Sequence, residues 1–377
     1  MSFGFIRPML LTQKQVLLEN APSTKLTPPG YLKFLLGNST PNIVSSSISN
    51  ENGHVRDVVI KYRQRVPTGK SVTSNDCSTE GNPMYKEATI PALSFRKYGF
   101  AISDDTISKY EDEASRTVNI GLPAPPNGIM MEFYNHLLEV ANGLLGDINA
   151  DLLATQAASF GINSTTGLNT AKTINFPLAT TSNPLNQGLS LLMSDAMENE
   201  IRQGNMFVVG AGLINNVYLQ KEFMLANTTD ANWPASLPKF YFDPAATSIL
   251  GANKFGVFEK NAVQLVNINK FKAGFAGNKL TTFKFQLQLP LIDSLGGTEV
   301  QLFTFDCQLR YIDCAVTEQI GGEVDSEGDP ILTRLESGWR IDLSANYGQF
   351  NIAADAYAST DRLSGNNGSL LYLATNA

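Results

Sequence analysis

Between Val58 and Val66 the side chains alternate, with Val58, Ile60, Tyr62, Gln64 and Val66 on one side and Val59, Lys61, Arg63 and Arg65 on the other. A period of two predicts a β-strand, and one face of this strand is basic. Pro67-Thr-Gly-Lys70 predicts a turn, and the polar stretch to Asn82 leads into a second extended segment, so a long hairpin or loop is expected. Ahead of it, Pro8, Pro22, Pro28, Pro29 and Pro41 interrupt any regular element, and the polar run from Ser45 to Gly53 follows. That stretch reads as an extended arm. From Ala92 to Ser103 the apolar content rises again, and Asp104-Asp105 marks a helix start, so a strand feeding a short helix is expected.

The strongest periodicity follows Pro123-Ala-Pro-Pro-Asn-Gly128. Ile129, Phe133, Leu137, Val140, Leu144, Ile148 and Leu152 recur at steps of three or four, the signature of one apolar helix face, with Asn127 as N-cap. A helix from Ile129 to Gln156 is about 42 Å long. Gly143 and Gly146 inside it each cost roughly 1 kcal/mol relative to alanine, so tertiary packing must hold the helix, and a close backbone approach or a bend would explain them. Leu185, Leu189, Leu192, Met193, Ala196, Met197 and Ile201 predict a second amphipathic helix, followed by a buried strand at Met206-Phe-Val-Val-Gly210 and more helix from about Gly212. Beyond Trp233 the texture is β, with long strands expected over Leu280 to Leu291 and Val300 to Tyr311. Phe283, Phe285, Leu287 and Leu289 alternate there with Lys284, Gln286, Gln288 and Pro290. The fold class is α+β.

Charge changes along this frame. Residues 51–100 carry 8 basic and 5 acidic side chains, and residues 301–377 carry 4 basic and 11 acidic, so the front of the chain is basic and the tail acidic. The acidic loop from Glu318 to Asp329 holds five carboxylates and no base. Over all 377 residues the formal charge is −7, which argues against a free nucleic-acid-binding protein. With 43% hydrophobic and 17% charged residues the chain reads as globular and poor in surface charge, as expected where much of the surface meets protein. Neither a signal peptide nor an apolar run long enough to span a membrane is legible, so a soluble, cytoplasmically made protein is expected.

Candidate chemistry is sparse. Two His (His54, His136) and three Cys (Cys77, Cys307, Cys314) cannot build a zinc cage at ordinary spacings, and the thiols read as unpaired apolar packers. Thr68-Gly-Lys-Ser71 resembles the end of a phosphate-binding loop, but position 64 is Gln where the first Gly is needed. His136 has no orienting carboxylate or nucleophile placed by spacing and reads as a packed helix residue. Asp325, Glu327 and Asp329 lack the rest of a calcium loop and read as a solvated turn. No catalytic, cofactor-binding or metal-binding residue is assigned. The one charge pattern to follow is Lys61, Arg63 and Arg65, either a solvated edge strand guarded by its charges or an inter-subunit face that docks onto acidic surface of a neighbouring copy, which the acidic tail could supply.

The order of these parts is similar to that of a major capsid protein of tailed bacteriophages with the Hong-Kong-97-like fold. Val55 to Val66 resembles the extended E-loop, and Phe95 to Ser103 the strand leading into the peripheral (P) domain. Met131-Glu-Phe-Tyr-Asn-His-Leu-Leu through Leu153 resembles the spine helix, and Met206-Phe-Val-Val-Gly-Ala-Gly-Leu-Ile-Asn-Asn a strand–helix unit of the axial (A) domain. Gly338-Trp-Arg-Ile-Asp-Leu and Asp361-Arg-Leu-Ser-Gly-Asn-Asn-Gly-Ser-Leu-Leu-Tyr resemble terminal segments. The resemblance implies an N-terminal arm over 1–50, an E-loop over 51–90 and a P-domain over 91–184 with its spine helix at about 128–157. A first part of the A-domain over 185–270, P-domain return strands over 271–316 and an acidic loop with terminal A-domain segment over 317–377 would complete it.

It further implies a non-enzymatic, cofactor-free protein that forms pentamers and hexamers and closes them into an icosahedral virion shell around double-stranded DNA. Portal and separate scaffolding or decoration proteins would be its other partners, with no membrane. Residues 1–50 lack the charged helical pattern of a scaffolding region. Lys61 and Lys70 match a family cross-linking lysine by position only, and no such bond is predicted. A tail-tube or sheath subunit is the alternative within the virion. A carboxylate-based hydrolase, which needs two acids about 5–10 Å apart, is the alternative outside it.

Overall fold

The computed structural model describes residues 28–37, 43–51, 54–63, 85–91, 94–104, 128–161, 170–177, 186–199, 201, 206–219, 238–271, 274–275, 282–292, 300–312, 318–324, 330–333, 337–351 and 368–376. In chain order these begin with helix α1 (Gly30–Leu36), strands β1 (Ile43–Glu51), β2 (His54–Arg63), β3 (Tyr85–Pro91) and β4 (Ser94–Ser103), and helix α2 (Gly128–Ala157). Strand β5 (Lys172–Asn175), helix α3 (Asn186–Glu198), strand β6 (Met206–Gly210), helix α4 (213–219), strand β7 (Lys239–Phe242) and the single turn α5 (Ala246–Ile249) follow. The rest is strand: β8 (Lys254–Glu259), β9 (Val263–Ile268), β10 (Gly274–Phe275), β11 (Thr282–Ile292), β12 (Val300–Ile312), β13 (Glu318–Val324), β14 (Pro330–Thr333), β15 (Gly338–Asn351) and β16 (Ser369–Thr375).

The α+β chain divides into two compact units, each assembled from separated stretches. Unit 1 takes Met1–Pro28, Phe95–Leu145 and Asn267–Asn346; unit 2 takes Pro29–Ser94, Gly146–Val266 and Tyr347–Ala377. In unit 1 the strands run in the order β10-β11-β12-β15-β4. β11 and β12 pair antiparallel from Thr282↔Arg310 to Ile292↔Val300, and β12 pairs antiparallel with β15 from Asp306↔Ser344 to Ile312↔Gly338. Alternation in all three strands puts Phe283, Phe285, Leu287, Phe303, Phe305, Leu309, Ile341 and Leu343 on one buried apolar face. Cys307 shares that face as a free thiol, its ionisation pushed up by burial and by Asp342 and Asp306. Two contacts hold the first part of α2 beside β4: the Phe100 ring stacks on His136 at 5.7 Å between centroids, and Tyr98 reaches Gly143.

Unit 2 holds a mixed sheet in the order β5-β16-β8-β6-β7, in which β16 pairs parallel with β5 and antiparallel with β8. On one face Met206, Val208, Phe255, Val257, Leu370 and Tyr372 form a core with Leu189, Leu192 and Ala196 of α3 and Ile214 and Val217 of α4. On the other face Phe258 is the centre of an aromatic cluster, with Tyr31, Phe34 and Phe160 at 5.6, 4.9 and 5.7 Å. A separate three-stranded antiparallel sheet, β1-β2-β3, completes unit 2.

Several local expectations change. Residues 30–36 are not extended: Tyr31, Leu32, Phe34 and Leu35 are buried in α1, a helix too short to persist without tertiary contacts. The polar run after Pro41 contributes β1, because backbone pairing with β2 does not require apolar side chains. The start of the acidic loop is strand, since β13 and β14 pair antiparallel through Glu318↔Thr333 and Val324↔Pro330, whereas Asp325, Glu327 and Asp329, read as a solvated turn, lie outside the described residues. Met197, placed on the apolar face of α3 by spacing, is 44% exposed. Asn127, Leu185 and Asp105 lie outside the described residues.

The long helix spans Gly128–Ala157, and Leu137, Leu144, Ile148 and Leu152 of its predicted apolar face are buried. Among the described residues a Cβ at Gly146 would meet nothing within 4 Å, so none of their backbones approaches closely enough to account for that glycine. Gly146→Ala is therefore expected to stabilise the chain by about 1 kcal/mol, read as a raised urea midpoint at unchanged m-value. A lowered midpoint would mean that the position needs glycine for its backbone.

Candidate inter-subunit surface

Alternation along β2 buries Val58 and Ile60 and leaves Lys61 exposed, as the pattern predicts. The antiparallel register with β3 sets Lys61 directly opposite Glu87, and Nζ and Oε1 stand 3.9 Å apart with side chains 46% and 62% exposed. An exposed pair of this kind contributes at most about 1 kcal/mol, so Lys61 stays available to another partner. Arg63 lies opposite Tyr85 in the same register, and its side chain is outside the described residues. Arg65 and Lys70 are wholly outside them. Of the three predicted site residues, only Lys61 has a described side chain, and its carboxylate neighbour Glu87 was not anticipated.

Unit 2 also buries polar groups that could be mistaken for reactive centres. Asp195 on α3 is ion-paired with Lys172 of β5 and accepts a 2.8 Å hydrogen bond from the Tyr372 hydroxyl. Burial, then the Asp195 charge, pushes the Tyr372 phenol well above its usual range. Asp243 is fully buried. Its Oδ2 accepts the Tyr31 backbone N–H at 2.8 Å and an Asn149 Nδ2–H at 2.9 Å, and its Oδ1 accepts the Ala245 N–H at 2.9 Å. Asn149 Oδ1 in turn accepts the Leu32 N–H at 2.8 Å. Pro29 offers no side-chain cap, so Asp243 and Asn149 supply from elsewhere in the fold the acceptors that the first turn of α1 lacks. These clusters satisfy backbone and core groups. Among the described residues no group of three or more His, Cys, Asp or Glu side chains could hold a metal ion.

Sequence reasoning missed a third arrangement, in unit 1. Strand register places Arg310 of β12 directly opposite Arg340 of β15, on the polar face of the sheet. Arg340 Nε donates to Asp342 Oδ1 at 3.0 Å, and Lys97 Nζ of β4 stands 2.9 Å from Asp342 Oδ2. Asp342 is 2% exposed, and its carboxylate occupies the space a Cβ at Gly99 would take, 2.1 Å from Oδ1. A side chain at position 99 would therefore displace the Asp342 carboxylate. The signal was unreadable without register, because thirty residues separate the two arginines.

No family model and no curated protein sequence matches the chain. Among solved structures, the chain is similar to one described as the capsid structure of the cyanophage P-SCSP1u, at 12% identity and a TM-score of 0.40 over 93% of this chain and 90% of that one. It is similar to a virus-like particle from Pyrococcus furiosus at 11% identity and a TM-score of 0.36, over 96% and 97% of the two chains. A Mycobacterium phage Bobi structure is similar at 11% identity and a TM-score of 0.40, over 94% and 92%.

Proposed function

We propose that the chain is the major shell subunit of a bacteriophage head, built on the Hong-Kong-97-like plan. The observation that carries this is the order of its elements: paired β2 and β3, then β4, then the 30-residue α2, then a mixed sheet with α3, then the long return strands β11 and β12. In this reading β2 and β3 are the arms of the E-loop, unit 1 corresponds to the P-domain, and the mixed sheet of unit 2 corresponds to the A-domain. Pentamers and hexamers of the chain close into an icosahedral shell around double-stranded DNA. Portal and separate scaffolding or decoration proteins are further partners, and the protein is made in the host cytoplasm and resides in the virion. The role in this reading is structural rather than enzymatic. None of the described helices is long and apolar enough to cross a membrane.

The basic face headed by Lys61 is the inter-subunit contact of this reading, docking on acidic surface of a neighbouring copy. Negative-stain electron microscopy with light-scattering mass on the full chain tests it, with closed shells or five- and six-fold capsomers as the expected result. Lys61→Glu is expected to raise the concentration at half-assembly about tenfold, equivalent to about 1.4 kcal/mol. Tubes would transfer the chain to the tail-subunit alternative, and a monomer at every concentration would restrict the shell reading to scaffold-dependent assembly and favour the hydrolase alternative.

A further inference from the structure

A strand at the edge of a sheet offers a row of unpaired N–H and C=O groups, and proteins guard such edges with charges, prolines, bulges or short length. In the three-stranded sheet of unit 2 the edges are β1 and β3, with β2 in the middle, so the charge on Lys61 of β2 guards neither. Strand β3 carries Lys86, Glu87 and Pro91 along seven residues. Strand β1 reads Ile43-Val-Ser-Ser-Ser-Ile-Ser-Asn-Glu51, and its only charge or proline is the terminal Glu51. Among the described residues, the other edge strands of seven residues or more are charged: β4 carries Arg96 and Lys97, and β13 carries Glu318 and Glu323. The remaining edges are six residues or shorter.

The register of β1 against β2 sets how far a further ladder on its open edge can run. Pairing is regular from Ser45↔Lys61 to Ser49↔Asp57 and shifts on either side, between Ile43 and Ser45 and between Ser49 and Asn50. Irregularities of this kind bend a strand and end its ladder. They confine pairing on the open edge to Ser45–Ser49, whose middle residue is Ser47. A serine-rich strand specifies its register weakly by itself, so these shifts also supply the stop that its side chains lack.

We infer that β1 of one copy pairs with β1 of a second copy, antiparallel about a two-fold axis at Ser47. Two identical uncharged edges are self-complementary, which is what an isologous contact requires. The axis sets Ser45 opposite Ser49 of the partner subunit and joins two three-stranded sheets into one, in the order β3-β2-β1-β1-β2-β3. Backbone hydrogen bonds supply the contact, as in other cases of strand addition, so large side chains are not needed. The inference rests on the self-assembly reading and adds to it one two-fold contact, separate from the charged contact of Lys61.

Ser47→Lys and Ser47→Glu each set like charges opposite one another across such an axis. Either variant alone is expected to raise the concentration at half-assembly about tenfold, and an equimolar mixture of the two to return within about threefold of wild type. Rescue by mixing is specific to a contact in which position 47 meets itself, and it excludes misfolding, which a second misfolded chain could not repair. Variants that assemble as the wild type does, or a mixture no better than its components, overturn the inference and leave the shell reading standing. The full chain with Ser47→Cys, oxidised after assembly, is expected to give a disulfide joining position 47 of two chains, mapped by mass spectrometry. Disulfides from position 47 to other peptides alone overturn the inference. A wild-type chain that stays monomeric, with no such dimer from Ser47→Cys at any concentration, overturns it too and narrows the shell reading to scaffold-dependent assembly.

Discussion

Phe258→Ala is expected to destabilise unit 2 by about 3–5 kcal/mol, the range for deleting a fully enclosed aromatic side chain. Phe258 is 0% exposed and its ring stands within 6 Å of Phe34, Tyr31 and Phe160, whose centroids lie 4.9, 5.6 and 5.7 Å away. Two of these three rings belong to α1, so the cavity would open where a seven-residue helix meets the sheet. Phe258→Leu keeps much of the volume and is expected to cost less, about 1–1.5 kcal/mol. Urea unfolding followed by circular dichroism measures both. Equal losses for alanine and leucine would show that ring packing, rather than cavity volume, sets the cost.

The second large effect is expected from Asp243→Ala, also about 3–5 kcal/mol, for a different reason. Little volume is lost, but the Tyr31 N–H, the Ala245 N–H and one Asn149 N–H lose their acceptor inside the fold. Release of α1 would let the two backbone donors near it find water, so amide exchange at Tyr31 and Leu32 should accelerate at least a hundredfold, ahead of exchange in β6 and β8. Uniform acceleration across the sheet would instead mean that α1 and the sheet unfold together. Because both substitutions loosen the seat of α1, the double variant should lose less than the sum of the single losses.

These two residues illustrate what was and was not legible in the sequence. Periodicity alone located α2, since Leu137, Leu144, Ile148 and Leu152 repeat over a helix long enough to average out exceptions. The alternation of β2 and β11 likewise put Val58, Ile60, Phe283, Phe285 and Leu287 inside. Helix α1 escaped notice because five prolines over the first 41 residues signal irregular chain, and seven residues show barely two turns of periodicity. In hindsight Pro29 and Gly37 bracket it, and five of the residues between them, Tyr31, Leu32, Phe34, Leu35 and Leu36, are large and hydrophobic. The Ser-rich β1 escaped because pairing to β2, and not its own side chains, makes it a strand. At the candidate surface, Lys61 was legible from alternation, whereas Glu87 beside it and the Arg310–Arg340 pair follow from strand register. Register depends on partners far away in the chain, and periodicity carries no trace of it.

The position of β16 in its sheet has a consequence for synthesis on the ribosome. It lies between β5 and β8, which end at Asn175 and Glu259, and nothing else in the sheet bridges those two strands. Until Ser369 to Thr375 have emerged, the edges of β5 and β8 have no neighbour on that side. At about 5–20 residues per second, the wait after β8 is roughly 6–23 s. During that interval the nascent chain exposes unpaired strand edges beside a row of aromatic residues, a hazard that chaperones exist to cover. The same arrangement acts as a proofreading step: a polypeptide aborted anywhere before Ser369 lacks an internal strand, not a dispensable tail, and cannot complete its fold.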